Sequence, residues 1–98
     1  MAITRGLLAV LEAKPGKGDE LAAFLEQGRA LAAAESGTVT WCAFRLSDTS
    51  YGIFDTFEDE EGRQAHINGE IPAALAKVGP DLLASDPDIR PIDVIAVK

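Results

Sequence analysis

The sequence has little of what metal and redox sites are usually built from: its 98 residues include one cysteine, Cys42, and one histidine, His66. A single cysteine excludes a disulfide within the chain and is typical of a reducing compartment. These two side chains cannot supply a zinc ligand set, so we expect no metal site. Because Cys42 falls inside a predicted strand, we expect it to behave as a small hydrophobic residue and not as a nucleophile.

Long apolar runs and positive charge are also scarce. The N-terminal apolar run, Leu7 to Leu11, is too short for a signal-peptide core and far below the about 18 residues of a membrane span, so we expect a cytoplasmic protein. Lysine and arginine number 9 against 16 aspartates and glutamates, a net charge of −7. Phosphate groups and anionic lipids would repel such a chain, and we expect neither nucleic acid nor a membrane as partner.

What the chain does contain is typical of a small globular domain. Hydrophobic residues make up 47% and charged residues 26%, and no linker or repeat divides the sequence, which predicts a single domain over residues 1–98. A chain of this length buries only about 60–65% of the surface that its unfolded form exposes. Its core is therefore modest, and a second subunit would add to it.

Periodicity and turn residues divide the chain into strands and helices. Alternating or β-branched stretches predict strands, and apolar residues at intervals of three and four predict helices. Asp59 is predicted to cap a helix, Pro72 to begin another, and Gly37 to end the first helix in the left-handed conformation. The predicted elements are a strand at 3–13, a helix from 19 to 36, strands at 38–46 and 51–58, a helix from 60 to about 68, a helix from 72 with a break at Gly79–Pro80, and a strand at 92–98.

This order of elements predicts a ferredoxin-like βαββαβ fold of the α+β class, a four-stranded antiparallel sheet with its helices on one face. The first strand is apolar at successive positions from Leu7 to Leu11, which indicates burial on both faces of the sheet. An uncovered apolar face would be a sticky patch on a monomer. We therefore expect the free face to pack against the same face of a second copy, giving a homodimeric α/β barrel.

Two polar residues are candidates for chemistry. Asp55 shares a strand face with Tyr51 and Phe57, where a carboxylate must be paired or hydrogen-bonded. It could act as a general base, but a pair with Arg45 on the neighbouring strand is favoured. His66 lies on a short helix, where a lone histidine is most often half-buried with one nitrogen hydrogen-bonded. Its ordinary pKa of about 6.5 also suits a proton acceptor at neutral pH.

The stretch ESGTVTWCAFRLSDTSYGIFDTFEDEEGRQAHI, residues 35–67, resembles the antibiotic biosynthesis monooxygenase domain family. That family's pattern has a glycine before an aromatic residue in a strand, then a second strand ending in acidic-x-aromatic. An acidic helix cap and an Ala-His-hydrophobic triplet follow. The matching residues are Gly37, Trp41, Asp55, Phe57, Asp59, Ala65, His66 and Ile67. The earlier AKPGKGDELAAFL resembles the family's first strand-to-helix junction, so the likeness covers nearly the whole chain and implies a dimeric α/β barrel.

The resemblance implies oxidation of an aromatic polyketide-like or quinol substrate by molecular oxygen, without metal, flavin or other cofactor. The residues it implies for substrate binding are Trp41, Tyr51, Asp55 and Phe57, of which Trp41 and Tyr51 would stack on or orient the ring and Asp55 would hold a neighbouring group. His66 would accept or relay the proton, and the partners expected are a small aromatic molecule and a second copy of the chain.

Other activities of the resembled family and its barrel lead to different expectations. Family members that degrade haem use a histidine in the second helical region together with asparagine and tryptophan, whereas here the helix after Pro72 has no histidine and the first strand has no asparagine. Haem breakdown is therefore not expected. The alternative function is a non-catalytic ligand-binding or stress-responsive barrel dimer in which His66 is merely packed. An isomerase- or decarboxylase-like use of the barrel, which would need no oxygen, also remains open.

Overall fold

The computed structural model describes residues 3–98, and its strands form one four-stranded sheet. The elements are β1 (Arg5–Glu12), α1 (Gly18–Ala33), β2 (Thr38–Arg45), β3 (Ser50–Phe57), α2 (Glu60–Ile67), α3 (Glu70–Leu82) and β4 (Asp88–Asp93). Neighbouring strands are antiparallel, in the order β2-β3-β1-β4. The predicted ferredoxin-like fold is confirmed, with its second helical region divided into α2 and α3.

The helices pack on one face of the sheet, and the core lies between them. Strand alternation turns every second side chain of β1 and β3 toward the helices. The buried hydrophobic residues of this covered face and of the helices include Leu7, Ala9, Leu11, Leu21, Leu25, Tyr51, Ile53 and Leu75. Since each large aliphatic side chain contributes about 1.5–3 kcal/mol on full burial, this set is a main source of the stability of the fold.

The opposite face of the sheet, which we call the free face, is apolar and has no helix of residues 3–98 packed on it. It carries Leu8, Val10, Phe44, Phe54 and Ile92, which alternate with the core residues of their strands. The side chain of Phe44 is 36% exposed. The expectation of apolar residues on both faces is thus confirmed, while packing against a second copy stays a prediction.

The last strand lies earlier in the chain than predicted. The prediction of a strand at 92–98 is wrong, because β4 is Asp88–Asp93 and pairs with β1 from Arg5 to Val10. A proline, Pro91, lies inside it, and this is tolerated because β4 is an edge strand whose outer side needs no ladder hydrogen bonds. Ile95 is 99% exposed, so the alternation after residue 93 does not reflect burial in this chain.

The helix break predicted at Gly79–Pro80 is also wrong, because α3 continues through Pro80 to Leu82. A proline inside a helix removes one backbone hydrogen bond, but here it stands in the last turn. The N–H of Leu83 still donates to the Gly79 carbonyl at 2.8 Å, and Leu82 and Leu83 are buried. Burial of these leucines holds the last turn in place. Within residues 3–98, no helix has both the length and the apolar character needed to cross a membrane.

Candidate functional site

His66 lies between two carboxylates in the interior of the protein. Its Nδ1 is 2.7 Å from Oε1 of Glu35, and its Nε2 is 3.0 Å from Oδ2 of Asp55. The exposed fractions of His66 and Asp55 are 6% and 2%, and Glu35 reaches the surface in part. We call these three residues the His66 cluster.

The surroundings of His66 favour its charged form. Burial opposes that charge, but the hydrogen bonds that His66 donates to Asp55 and Glu35, with the charges of both carboxylates, outweigh burial and raise the pKa of His66 above its usual value. His66 also stands in the last turn of α2, where the helix dipole favours a cation. As an imidazolium it donates from both ring nitrogens, so it offsets the buried charge of Asp55 and has no free lone pair.

Three separate elements bring the His66 cluster together. Strand alternation on β3 turns Asp55 toward the helices. Asp59 caps α2 as predicted, its Oδ1 accepting the N–H of Gly62 at 2.8 Å, and so fixes the direction in which α2 carries His66. Glu35 comes from the turn after α1, where Thr38 Oγ1 donates to its Oε1 at 2.7 Å.

Two glycines let α2 approach the turn after α1 closely enough for these contacts. A Cβ added at Gly62 would lie 2.9 Å from the carbonyl oxygen of Gly37, and one added at Gly37 would lie 2.9 Å from Cα of Gly62. The left-handed conformation predicted for Gly37 is wrong, because Gly16 is where the described residues have a positive φ. Glycine is therefore required at position 37 because α2 approaches it closely. Glycine is required at position 62 for the same reason, although the resembled family often has alanine there.

A cavity of about 360 Å³ opens beside Asp55 and His66, between the sheet and the helices α2 and α3. Its walls are mostly aliphatic, formed by residues such as Leu7, Ala9, Ile53, Ile71, Leu75 and Ile89. The Oδ1 atom of Asp55 is buried and has no hydrogen-bond partner among residues 3–98. Because an engineered cavity of about 150 Å³ binds benzene, this one has room for roughly two fused rings.

The expected substrate-binding aromatics lie elsewhere. Trp41 stands opposite Asp55 on β2, but its ring packs toward α1, where a Cβ added at Gly28 would lie 3.3 Å from it. Tyr51 lies under the start of α1, and its Oη donates to the Asp48 carbonyl at 3.5 Å. Both line a second cavity of about 560 Å³ at the edge strand β2, so the structure does not bring them to the His66 cluster.

Phe57 and Asp55 have partners of different kinds. The fully buried ring of Phe57 packs against the ring of His66, with centroids 5.4 Å apart. The favoured pairing of Asp55 with Arg45 is wrong, since Arg45 lies opposite Tyr51 and approaches Asp19 at 3.9 Å. The strand register separates Arg45 from Asp55 and leaves the carboxylate to His66.

Sequence reasoning missed Glu35. This residue is 31 positions from His66, and no spacing rule for a helix or strand connects the two. The described part of the chain has no group of three His, Cys, Asp or Glu residues that could hold a metal ion. Glu35 and Asp55 lie on opposite sides of the imidazole, so the His66 cluster does not converge on one point.

No family model and no curated protein matches this chain, but solved structures do. The crystal structure of NE2512, a protein of unknown function from Nitrosomonas europaea, is 46% identical with a TM-score of 0.96, over 98% of this chain and 93% of that one. A "putative antibiotic biosynthesis monooxygenase" from Caulobacter crescentus is 22% identical with a TM-score of 0.80, over 96% and 92% of the two chains. Another of that name from Nitrosomonas europaea is 10% identical with a TM-score of 0.83, over 97% and 93%. The resemblance predicted from the sequence is confirmed at the level of the fold.

Proposed function

This chain belongs to the same family as NE2512 and has the antibiotic biosynthesis monooxygenase-like fold, and from this premise we propose that it oxidises a small aromatic substrate with molecular oxygen. The substrate class is a polyketide-like anthrone or a quinol, and the reaction uses no cofactor. The observation that supports the proposal is the cavity itself, which has mostly aliphatic walls and is lined by the buried carboxylate of Asp55 and by His66. Binding sites for small molecules are typically apolar clefts with a few polar groups of this kind.

The reaction balances without an added reductant. A methylene carbon of an anthrone loses two hydrogens and becomes a carbonyl, which is a four-electron oxidation. One atom of molecular oxygen becomes the carbonyl oxygen, and the other leaves as water with the two hydrogens, so each oxygen atom takes two electrons. The protein's part is to remove the first proton, after which the electron-rich anion passes an electron directly to oxygen.

His66 and Asp55 are the residues that we propose to handle this proton. In this proposal Asp55 accepts the proton, and the imidazolium of His66, which faces it at 3.0 Å, stabilises its charge. The aliphatic walls orient the aromatic ring of the substrate, and the ring of Phe57 packs against the imidazole of His66. A role for Trp41 and Tyr51 would require the substrate to occupy the second cavity, which an experiment can distinguish.

The test is oxygen uptake with a panel of anthrones and hydroquinones, measured for the wild type, His66→Gln and Thr56→Val. Thr56 is a matched control, because its Oγ1 is also buried without a partner in the described structure but lies on the other side of β3. We expect uptake by the wild type and Thr56→Val, and a loss of at least about a hundredfold in a folded His66→Gln.

Other outcomes would contradict this proposal in different ways. Equal uptake by wild type and His66→Gln would remove the histidine from the reaction. Loss of uptake in Trp41→Phe without loss in His66→Gln would move the site to the second cavity. No uptake by any form would contradict the oxygenation and favour the non-catalytic binding alternative.

We further propose that the free face packs against the same face of a second copy. Four strands about 4.8 Å apart, with about eight residues at about 3.3 Å each, give a face of roughly 500 Å². Two such faces together reach about 1,000 Å², which is the lower range of specific interfaces. The exposed ring of Phe44 and the neighbouring Phe54 supply the aromatic residues typical of interface centres.

The oligomer test compares two substitutions on the same hairpin by light scattering after size-exclusion chromatography. Phe44→Lys places a charge on the free face, whereas Leu46→Lys changes a residue that is 60% exposed in the hairpin turn. We expect a dimeric wild type and Leu46→Lys, and a monomeric Phe44→Lys. A monomeric wild type would contradict the dimer, and a dimeric Phe44→Lys would place its interface elsewhere.

A further inference from the structure

The cavity of about 560 Å³ at the edge strand β2 has an apolar floor between that strand and α1. The floor consists of residues of the core or packed against it: Ala22 and Leu25 of α1, with Trp41 and Ala43 of β2. Strand alternation turns Trp41 and Ala43 toward α1, so the floor lies on the opposite side of the sheet from the free face. Because Ala22 and Ala43 have small side chains, they leave a groove along the helix.

Two arginines line this groove near its ends. Arg45 of β2 approaches Asp19, at the start of α1, to 3.9 Å, whereas Arg29 comes about 15 Å further along the same helix. Among residues 3–98, Arg29 makes no ion pair. The contact between Arg45 and Asp19 joins two exposed groups and contributes little. Both guanidinium groups are therefore available to an anion.

The charges that line the groove differ in sign from the charge of the whole chain. Arg29 and Arg45 bring two positive charges and Glu26 one negative charge, which leaves +1 on the wall. The chain carries −7, but exposed charges more than about 8 Å away are largely screened at physiological ionic strength. The charge of this groove, and not its volume, indicates an anionic ligand with an apolar body.

We propose that the groove binds straight-chain carboxylates of medium length, with the guanidinium of Arg29 holding the carboxylate and the apolar floor holding the chain. A guanidinium suits a carboxylate because it can donate two parallel hydrogen bonds to it. Since the groove runs along α1 between its two arginines, an extended chain fills it more completely than a compact ring. The groove shares no lining residue with the cavity beside His66, so this site goes beyond the proposed function and does not depend on it.

The test is calorimetric titration with octanoate and with 1-octanol, which have the same chain length and differ in charge. The fluorescence of Trp41, the only tryptophan of the chain, reports on binding in this groove. A hydrogen bond to a charged group corresponds to about tenfold or more in affinity. We therefore expect octanoate to bind at least about tenfold more tightly than 1-octanol and to change the fluorescence of Trp41.

Three variants separate the charge of the groove from its shape. Arg29→Gln removes the cation, and the preference for octanoate over 1-octanol is expected to disappear. Lys77→Gln is the matched control, because Lys77 is an exposed cation of α3 that has no ion pair among the described residues and does not line the groove. Ala22→Leu keeps a good helix former but fills the groove, so it should weaken the binding of both probes.

Several results would overturn the proposal. They are equal binding of octanoate and 1-octanol by the wild type, no binding of either, and an unchanged preference in Arg29→Gln. Octanoate binding that leaves the fluorescence of Trp41 unchanged, or that is undiminished in Ala22→Leu, would also overturn it, because the ligand would then lie elsewhere. None of these measurements involves oxygen uptake, so failure of this site and failure of the proposed oxidation are distinguishable.

Discussion

The cavity at the edge strand β2 and the cavity beside His66 differ in what they bury. The cavity of about 560 Å³ wraps around the edge strand β2, where Cys42 and Phe44 of the free face line it with the charged Arg29 and Arg45. The cavity of about 360 Å³ has mostly aliphatic walls and is lined by a carboxylate, Asp55, that is 2% exposed. Both contain a buried polar atom without a partner in residues 3–98, but in the larger one it is the neutral Nε1 of Trp41.

This difference shows that volume alone does not identify a site. A buried carboxylate oxygen without a hydrogen-bond partner is rare in folded proteins and needs an explanation, whereas an open groove at a sheet edge does not. Tyr51 and Asp55 share one face of β3, yet four residues of strand separate them by about 13 Å. One strand therefore contributes to both cavities, and we expect only the smaller one to contain a coupled charge system.

The largest expected effect is the loss of stability in His66→Leu. Removing one partner of a buried ion pair leaves an uncompensated charge on Asp55 and should lower the free energy of unfolding by about 3–5 kcal/mol. Trp41→Phe, in the other cavity, loses no hydrogen bond and should cost less than about 1.5 kcal/mol. Urea denaturation at one fixed protein concentration measures both. A double variant, Asp55→Leu with His66→Leu, should be more stable than His66→Leu alone. Equal losses of stability in His66→Leu and Trp41→Phe would contradict the coupling between His66 and Asp55.

A smaller effect is expected from the glycine contact that brings α2 to the His66 cluster. Gly62→Ala would place its Cβ 2.9 Å from a backbone oxygen, and overpacking of this kind costs about 1–3 kcal/mol. Gly79→Ala is the control, because apart from its chain neighbours a Cβ there would meet Leu83 Cδ1 at an ordinary 3.7 Å inside α3. The gain in helix propensity of about 0.5–1 kcal/mol is offset by the clash of the new Cβ with the following Pro80, so the net change should be below about 1 kcal/mol. Thermal unfolding measures both variants, and a neutral Gly62→Ala would mean that the contact can relax.

The charge of His66 gives stability a pH dependence. Because the folded pKa of His66 is raised, its contribution is complete below the unfolded pKa of about 6.5 and is lost as pH rises through the folded pKa. The charged groups that face the ring are Glu35 and Asp55. Titration of the ring by NMR should therefore give a pKa above the ordinary value, lowered in Glu35→Gln. A wild-type ring that titrates at or below about 6.5 would contradict this.

The smallest expected effect is at Tyr51. Its hydrogen bond to the Asp48 carbonyl is 3.5 Å long, at the limit of such a bond. Tyr51→Phe should therefore cost less than about 1 kcal/mol in the free energy of unfolding and leave oxygen uptake unchanged if the smaller cavity is the site. A tenfold loss of oxygen uptake in this variant would show that the two cavities act together.

Much of the fold could be predicted because it depends on local patterns. The cap at Asp59, the hairpin of β2 and β3 and the amphipathic α1 each follow from residues close together in the chain. The errors lie where distant contacts outweigh local preference. Burial of Leu82 and Leu83 carries α3 through Pro80, and pairing with β1 places the last strand at Asp88–Asp93 and not at the alternating stretch after it.

The candidate site was predictable only in part. The sequence by itself determined that Asp55 lies on an apolar strand face and that His66 follows an acidic helix cap, because both are matters of spacing. Tertiary structure alone decided that these two residues meet and that Glu35 completes the His66 cluster. It also decided that Arg45 and Trp41 are directed elsewhere. The physical reason is that contact across a sheet and between helices depends on register and on close approach, here permitted by Gly37 and Gly62.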